Sequence, residues 1–142
     1  MSKKAIITGS SSGIGYRYAK YLSKQGWYLD LISQDQKRSK NSEENLSYER
    51  ANFHVYDLGL KESINSIINT IDAPDLIVAN AGIAINGVIG ELNPDEKEYY
   101  YYLMCGGVID LIEGYVPEMI KKGSGRIVTV SYTHLRAHET AR

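Results

Sequence analysis

The octet Thr8-Gly9-Ser10-Ser11-Ser12-Gly13-Ile14-Gly15 follows directly on the apolar run Ala5-Ile6-Ile7 and precedes a segment with helical spacing. A chain that turns from strand to helix over so few residues needs positions free to take positive φ. A phosphate, in turn, reaches the backbone only where no Cβ stands in the way. Gly9, Gly13 and Gly15 meet those needs. The helix behind them points its unsatisfied N–H groups and the positive end of its dipole at the loop, so a diphosphate there is held without a lysine. No Lys follows the glycines, which excludes a Walker-type P-loop. The plainer alternative is an ordinary strand-to-helix turn.

Strand and helix signals keep alternating with short turns, which predicts a parallel sheet covered on both faces. Strands are expected over Lys4 to Thr8, Tyr28 to Ser33, Phe53 to Tyr56, Asp75 to Ala79 and Arg126 to Val130. The fourth is nearly all apolar, as a strand buried on both faces requires. One helix is expected over Ile14 to Gln25, stopped by Gly26. A second covers Lys61 to Ile71, where Ile64, Ile67, Ile68 and Ile71 recur at helical spacing. A long third runs from Pro94 to Lys122 and ends at Gly123. Gln34 to Ser42 reads as loop and Glu43 to Arg50 as a weak helix. The rings of Tyr99 to Tyr102 would point all round a helix, so some must meet water, a partner or a ligand.

The chain has 142 residues, 43% of them apolar, a formal net charge of -1 and one cysteine, Cys105. This describes one soluble α/β domain of cytoplasmic type. No internal disulfide is possible, and no stretch approaches the roughly 20 apolar residues that cross a bilayer, so no membrane partner is expected. Balanced charge argues against a nucleic-acid partner. The cluster Lys37-Arg38-Ser39-Lys40 reads as a solvated loop.

The spacing T-G-x-x-x-G-x-G resembles the short-chain dehydrogenase/reductase family, whose members bind NAD or NADP on a Rossmann sheet. Two further motifs fit the resemblance, Asp57-Leu58 after the third strand and Asn80-Ala81-Gly82 after the fourth. All three lie at carboxyl ends of parallel strands, where such sheets bind ligands. The implied fold is α/β, a Rossmann-type doubly wound parallel sheet of strand order 3-2-1-4-5, cut after strand five. The implied cofactor contacts are Gly9, Ser11, Ser12, Gly13, Ile14 and Gly15 on the pyrophosphate. Asp57 and Leu58 would face adenine, and Asn80, Ala81 and Gly82 the ribose side. Read alone, Asp57 could instead cap a helix, and Asn80 to Gly82 could be a tight turn. An acid at the end of the second strand would bind a ribose 2′-OH and repel a 2′-phosphate. That place falls on Ser33, followed by Gln34; Asp35 is nearby, yet so are Lys37 and Arg38, and the expectation leans to NADP over NAD.

The resemblance further implies an oxidoreductase moving hydride between nicotinamide and a small carbonyl or alcohol substrate, working as a homo-oligomer. A tyrosine, a lysine four residues on, a serine and an asparagine would carry the chemistry. The sequence departs from that pattern throughout: Met104 stands at the asparagine position and Tyr132 at the serine position, with Ser131 one place early. One residue along a strand reverses the side chain, so Ser131 is expected to point away. Tyr16-Arg17-Tyr18-Ala19-Lys20 has the tyrosine-to-lysine spacing but sits in the phosphate-binding helix, and Tyr132-Thr133-His134-Leu135-Arg136 offers arginine in place of lysine. His134 and His138 lack a third metal ligand. No catalytic residue and no metal ligand is therefore assigned.

Val130 to Thr140 resembles the translation of a transposase sequencing adapter. The expectation is a dinucleotide-binding domain over 1–129, incomplete and without turnover, followed by a non-native tail over 130–142. Two rivals remain: a non-catalytic module sensing nicotinamide redox state, mildly favoured by Met104, and a nucleotide-sugar epimerase or dehydratase, whose first loop more often reads G-x-x-G-x-x-G.

Overall fold

The computed structural model describes residues 3–35, 37, 50–83 and 90–131. The expected weak helix lies outside them apart from Arg50, as do Arg38, Ser39 and Lys40 of the basic cluster and everything from Tyr132 on. Among the described residues five strands form one sheet: β1 (Lys4–Thr8), β2 (Tyr28–Ser33), β3 (Ala51–Val55), β4 (Leu76–Ala79) and β5 (Arg126–Thr129). Every pairing is parallel and the order is β3-β2-β1-β4-β5, as expected.

Alternation along the strands builds two cores. Ala5, Ile7, Leu29, Leu31, Leu76 and Val78 face Ala19 and Leu22 of α1 (Gly13–Lys24). Ile6, Ile32 and Ile77 face the opposite side. There they meet Ile64 and Ile67 of α2 (Lys61–Thr70) and Leu111, Tyr115 and Met119 of α4 (Gly107–Lys122). The isoleucine periodicity of α2 thus becomes its buried stripe. At its end the Tyr115 hydroxyl lies 3.0 Å from the carbonyl oxygens of both Ile71 and Ile67, the latter also accepting from the Ile71 N–H.

One charge is buried among these apolar groups. Asp30 of β2 is 2% exposed, receives hydrogen bonds from His54 Nε2 at 2.8 Å and Asn52 Nδ2 at 3.1 Å, and pairs with Lys4 Nζ at 3.3 Å.

Two elements differ from expectation by more than a residue at either end. Strand three starts at Ala51, because Leu29 to Ser33 offer a ladder as far back as Ala51. The long helix is not continuous: α3 (Pro94–Tyr101) gives way to a π-helical turn at Tyr102–Gly106 before α4. Gly106 and Gly107 allow this widening, since a Cβ on Gly106 would lie 2.8 Å from the Tyr102 ring and one on Gly107 3.0 Å from the Leu58 carbonyl oxygen. Tyr102 donates to Asp110 at 2.7 Å across the bulge. The start of α3 is fixed by a reciprocal cap, in which Asn93 Oδ1 accepts from the Glu96 N–H and Glu96 Oε2 accepts from the Asn93 N–H, both at 2.9 Å.

Candidate functional site

At the carboxyl ends of the strands, β1 lies between β2 and β4, so the connections leaving β1 and β4 run to opposite sides and open a crevice there. The crevice holds a cavity of about 720 Å³. Gly9, Ser11, Ser12, Gly13 and Ile14 border it on one side, and Asn80, Ala81, Gly82, Leu103 and Met104 on the other. Ser33, Gln34, Asp35 and Leu58 border its β2–β3 end.

The three glycines do different work. Gly9 has φ +64° and a Cβ there would lie 2.8 Å from Ala81 Cα, so it permits both the turn and the approach of the β4 end. Gly13 has φ +55° with nothing within 4 Å of where its Cβ would stand, which leaves the backbone open to a ligand. Gly15 is helical and buried, and a Cβ on it would press on Asn80 Nδ2 and the Gly9 carbonyl. Gly15 therefore serves packing rather than the wall of the cavity, a different reason from the one read in the sequence.

The start of α1 is suited to an anion. Ser12 occupies the N-cap position without a side-chain hydrogen bond, and the first turn carries no acidic residue. Neither a cap nor a carboxylate thus competes for the N–H groups and dipole that a diphosphate uses.

Thr8 and Ser10, absent from the candidate set, hold the loop in place. Thr8 Oγ1 accepts from the N–H groups of Asn80 and Ala81, each at 3.0 Å. Asn80 Nδ2 donates to the carbonyls of Thr8 at 3.2 Å and Gly9 at 3.1 Å. Ser10 is 3% exposed, and both its N–H and its hydroxyl donate to the Ile32 carbonyl at 3.2 Å. Only the first residue of the octet hinted at this, since a threonine ending a strand can accept hydrogen bonds from a neighbouring turn.

Asp57 is not on the cavity wall, although its neighbour Leu58 is. It does not cap α2 either, because Leu60 holds that position. Its Oδ1 accepts from the Gly59 N–H at 2.9 Å and from the Tyr99 hydroxyl at 2.8 Å. Burial, followed by this carboxylate, pushes the Tyr99 phenol up. Burial likewise raises Tyr102 and Tyr115. Such shifts are opposite to what a phenol serving as an acid/base near neutral pH requires.

Met104 lies in the π-helical turn, 49% exposed, with its sulfur 3.3 Å from where a Cβ on Gly82 would stand. Val130 and Ser131 also border the cavity. Strand alternation stops at Thr129, so it no longer dictates where Ser131 points. Tyr16 packs against the α1-side core and is not on the cavity wall. Tyr132 to Arg136, with the His134 and His138 pair, lie outside the described residues. A second cavity, about 860 Å³, lies away from the glycine loop between the end of α1 and β5, lined by residues such as Trp27, Arg50 and Arg126. Among the described residues no helix is long and apolar enough to cross a membrane.

The model for short chain dehydrogenase matches residues 3–138, a span that passes Thr129. An uncharacterized oxidoreductase of Staphylococcus epidermidis is 26% identical over 133 residues, with 91% of this chain and 57% of the relative covered. Dehydrogenase/reductase SDR family member 7B of Xenopus tropicalis is 30% identical over 138 residues, covering 89% of this chain and 45% of the relative. The crystal structure of L-sorbose reductase from Gluconobacter frateurii, complexed with NADPH and L-sorbose, is similar with a TM-score of 0.79 at 29% identity. That similarity covers 90% of this chain and 51% of the reductase. The chain spans about half the length of the relatives it matches. With the glycine loop, the N-A-G turn and the strand order all in place over the matched residues, the chain belongs to the short-chain dehydrogenase family.

Proposed function

We propose that this chain is the dinucleotide-binding part of an NAD(P)-dependent oxidoreductase acting on a carbonyl or alcohol substrate. The observation that carries the reading is the open Gly13 backbone beside the uncapped start of α1. The diphosphate would lie against Gly9, Ser11, Ser12, Gly13 and Ile14, with Gly15 packed beneath. Leu58 would take the adenine end with Asp57 behind it, held off the cavity wall by the Gly59 N–H and Tyr99, and Asn80, Ala81 and Gly82 the ribose on the nicotinamide side. When bound, the nicotinamide supplies or accepts the hydride. The chain's own residues orient it and present backbone amides to the diphosphate.

NADP is preferred over NAD in this reading, since Ser33 puts no carboxylate at the end of β2 and Gln34 follows it. The NADPH bound to L-sorbose reductase supports the same choice. Titration of the purified chain with NADPH and NADH, followed by nicotinamide fluorescence, is expected to saturate with NADPH the tighter ligand. Absence of saturation for both would remove the proposal.

The residues over 130–142 belong to a non-native tail in this reading, and the 142-residue chain binds dinucleotide without turnover. Amplifying the locus from source DNA tests the first point, because a tail encoded there sinks it. Carbonyl-dependent oxidation of NADPH by the purified chain would sink the second. The parent protein is read as a cytoplasmic homo-oligomer with neither nucleic-acid nor membrane partner. A second reading, a redox-sensing module that binds nicotinamide without catalysis, is favoured by Met104, whose thioether cannot relay a proton.

A further inference from the structure

Tyr99 joins groups that the sequence keeps far apart. Its hydroxyl donates to Asp57 Oδ1 at 2.8 Å, beyond the end of β3, and accepts from Gln34 Nε2 at 3.2 Å, beyond the end of β2. An ionised carboxylate only accepts, so the Tyr99 proton is committed to Asp57. The phenol oxygen must then accept from Gln34, which fixes the amide with its nitrogen towards Tyr99. The hydrogen bonds therefore run one way, from Gln34 through Tyr99 to Asp57. The arrangement is built in, because the Tyr99 ring occupies the space a Cβ on Gly59 would need, while the Gly59 N–H donates a second hydrogen bond to the same carboxylate oxygen. Gln34 borders the cavity and Asp57 does not.

We propose that Tyr99 is a positioning residue for the adenosine end of the site, holding the Gln34 amide at the β2 end while its hydroxyl draws down the negative charge of Asp57 behind it. This rests on the dinucleotide reading above. A 2′-phosphate approaching the β2–β3 end, where Asp35 also borders the cavity, meets a fixed Gln34 amide and an Asp57 whose charge is drawn towards Tyr99, so the bridge favours NADPH over NADH. Removing the hydroxyl frees the amide and unscreens Asp57. The extra phosphate of NADPH feels both changes, whereas the 2′-OH of NADH is uncharged and feels them least.

Dissociation constants for NADPH and NADH are to be measured on the full chain and on Tyr99→Phe, which keeps the ring over Gly59. Loss of the hydroxyl, with its charge-assisted hydrogen bond to Asp57 and the one it accepts from Gln34, is expected to weaken NADPH roughly fivefold or more while NADH changes less than about twofold. Gln34→Leu cuts the same bond from the exposed side and is expected to shift the ratio the same way. The double variant is expected to go no further than Tyr99→Phe alone, because the amide that Gln34→Leu removes is already unheld once the hydroxyl is gone. Equal weakening of both nucleotides, an unchanged ratio, or additive shifts overturn the proposal. If Tyr99→Phe does not fold, an unchanged ratio in Gln34→Leu overturns it. A wild-type chain that binds neither nucleotide overturns the dinucleotide reading and this inference together, whereas wild-type binding with an unmoved ratio overturns this inference alone.

Discussion

Thr8 and Asn80 clasp each other across the crevice: the Thr8 hydroxyl oxygen receives the N–H of Asn80 at 3.0 Å, and the Asn80 amide returns a hydrogen bond to the Thr8 carbonyl at 3.2 Å. The clasp ties the end of β1 to the end of β4 and fixes the glycine loop between them. The Asn80 side chain is thus spent on the loop, and what it offers a ligand is a rigid wall.

Thr8→Val keeps the shape but leaves two N–H groups without their acceptor in a part-buried place. A loss of about 1–3 kcal/mol in urea denaturation is expected, with Thr8→Ser close to wild type. Dinucleotide affinity should fall with it, and equal stability of the valine and serine variants would contradict the clasp.

Gly9 and Gly13 share positive φ but not surroundings, so their substitutions should separate folding from binding. Gly9→Ala drives a Cβ to 2.8 Å from Ala81 Cα, a backbone atom with nowhere to go. Its thermal transition should drop sharply. At Gly13 a Cβ meets open space, so Gly13→Ala carries only a strain of about 1–2 kcal/mol, yet its side chain stands where the diphosphate would lie. A modest drop in melting temperature with a Kd for NADPH raised roughly tenfold or more is expected.

Ser33→Asp places a carboxylate at the end of β2. It should repel a 2′-phosphate and accept a ribose 2′-OH, turning the preference from NADPH to NADH by roughly tenfold or more. The ratio of the two dissociation constants is the measurement, since partial unfolding lowers both affinities alike.

Asp30 makes stability depend on acid. Burial alone would raise its carboxyl, but hydrogen bonds from His54 and Asn52 and the Lys4 ammonium outweigh burial and hold it below the ordinary 3.8. A group depressed in the folded state stabilises fully above its unfolded pKa, and that contribution is lost as pH falls through the folded value. Denaturation midpoints of the wild type should therefore fall as pH drops below about 4, while Asp30→Asn, less stable at pH 7 by roughly 2 kcal/mol, should lose less over the same window. Parallel profiles for the two proteins would count against this account.

The break at Tyr102–Gly106 shows how far a periodic pattern carries. Pro94, the apolar spacing and Gly123 correctly mark where the helical stretch begins and ends. They say nothing of the π-helical turn between, where the Tyr102 ring and the Leu58 carbonyl stand close to positions that only Gly106 and Gly107 leave free of a Cβ. Gly15 teaches the same point: its place in the octet was plain, but its task was set by Asn80 and the Gly9 carbonyl.

What the residues determine by themselves is the parallel sheet and the position of its glycine loop, while the strand order followed from the family resemblance. Backbone freedom at Gly9 and Gly13, the two-sided apolarity of β4 and the isoleucine stripe of α2 are short-range properties written in neighbouring residues. Tertiary structure alone decided which polar groups the site spends on itself and which it leaves for a ligand. The Thr8–Asn80 clasp, the Ser10–Ile32 bond and the Gln34–Tyr99–Asp57 chain join partners 72, 22, 65 and 42 residues apart. A hydrogen bond needs its partners within about 3 Å, and only the folded sheet brings residues so distant in sequence that close.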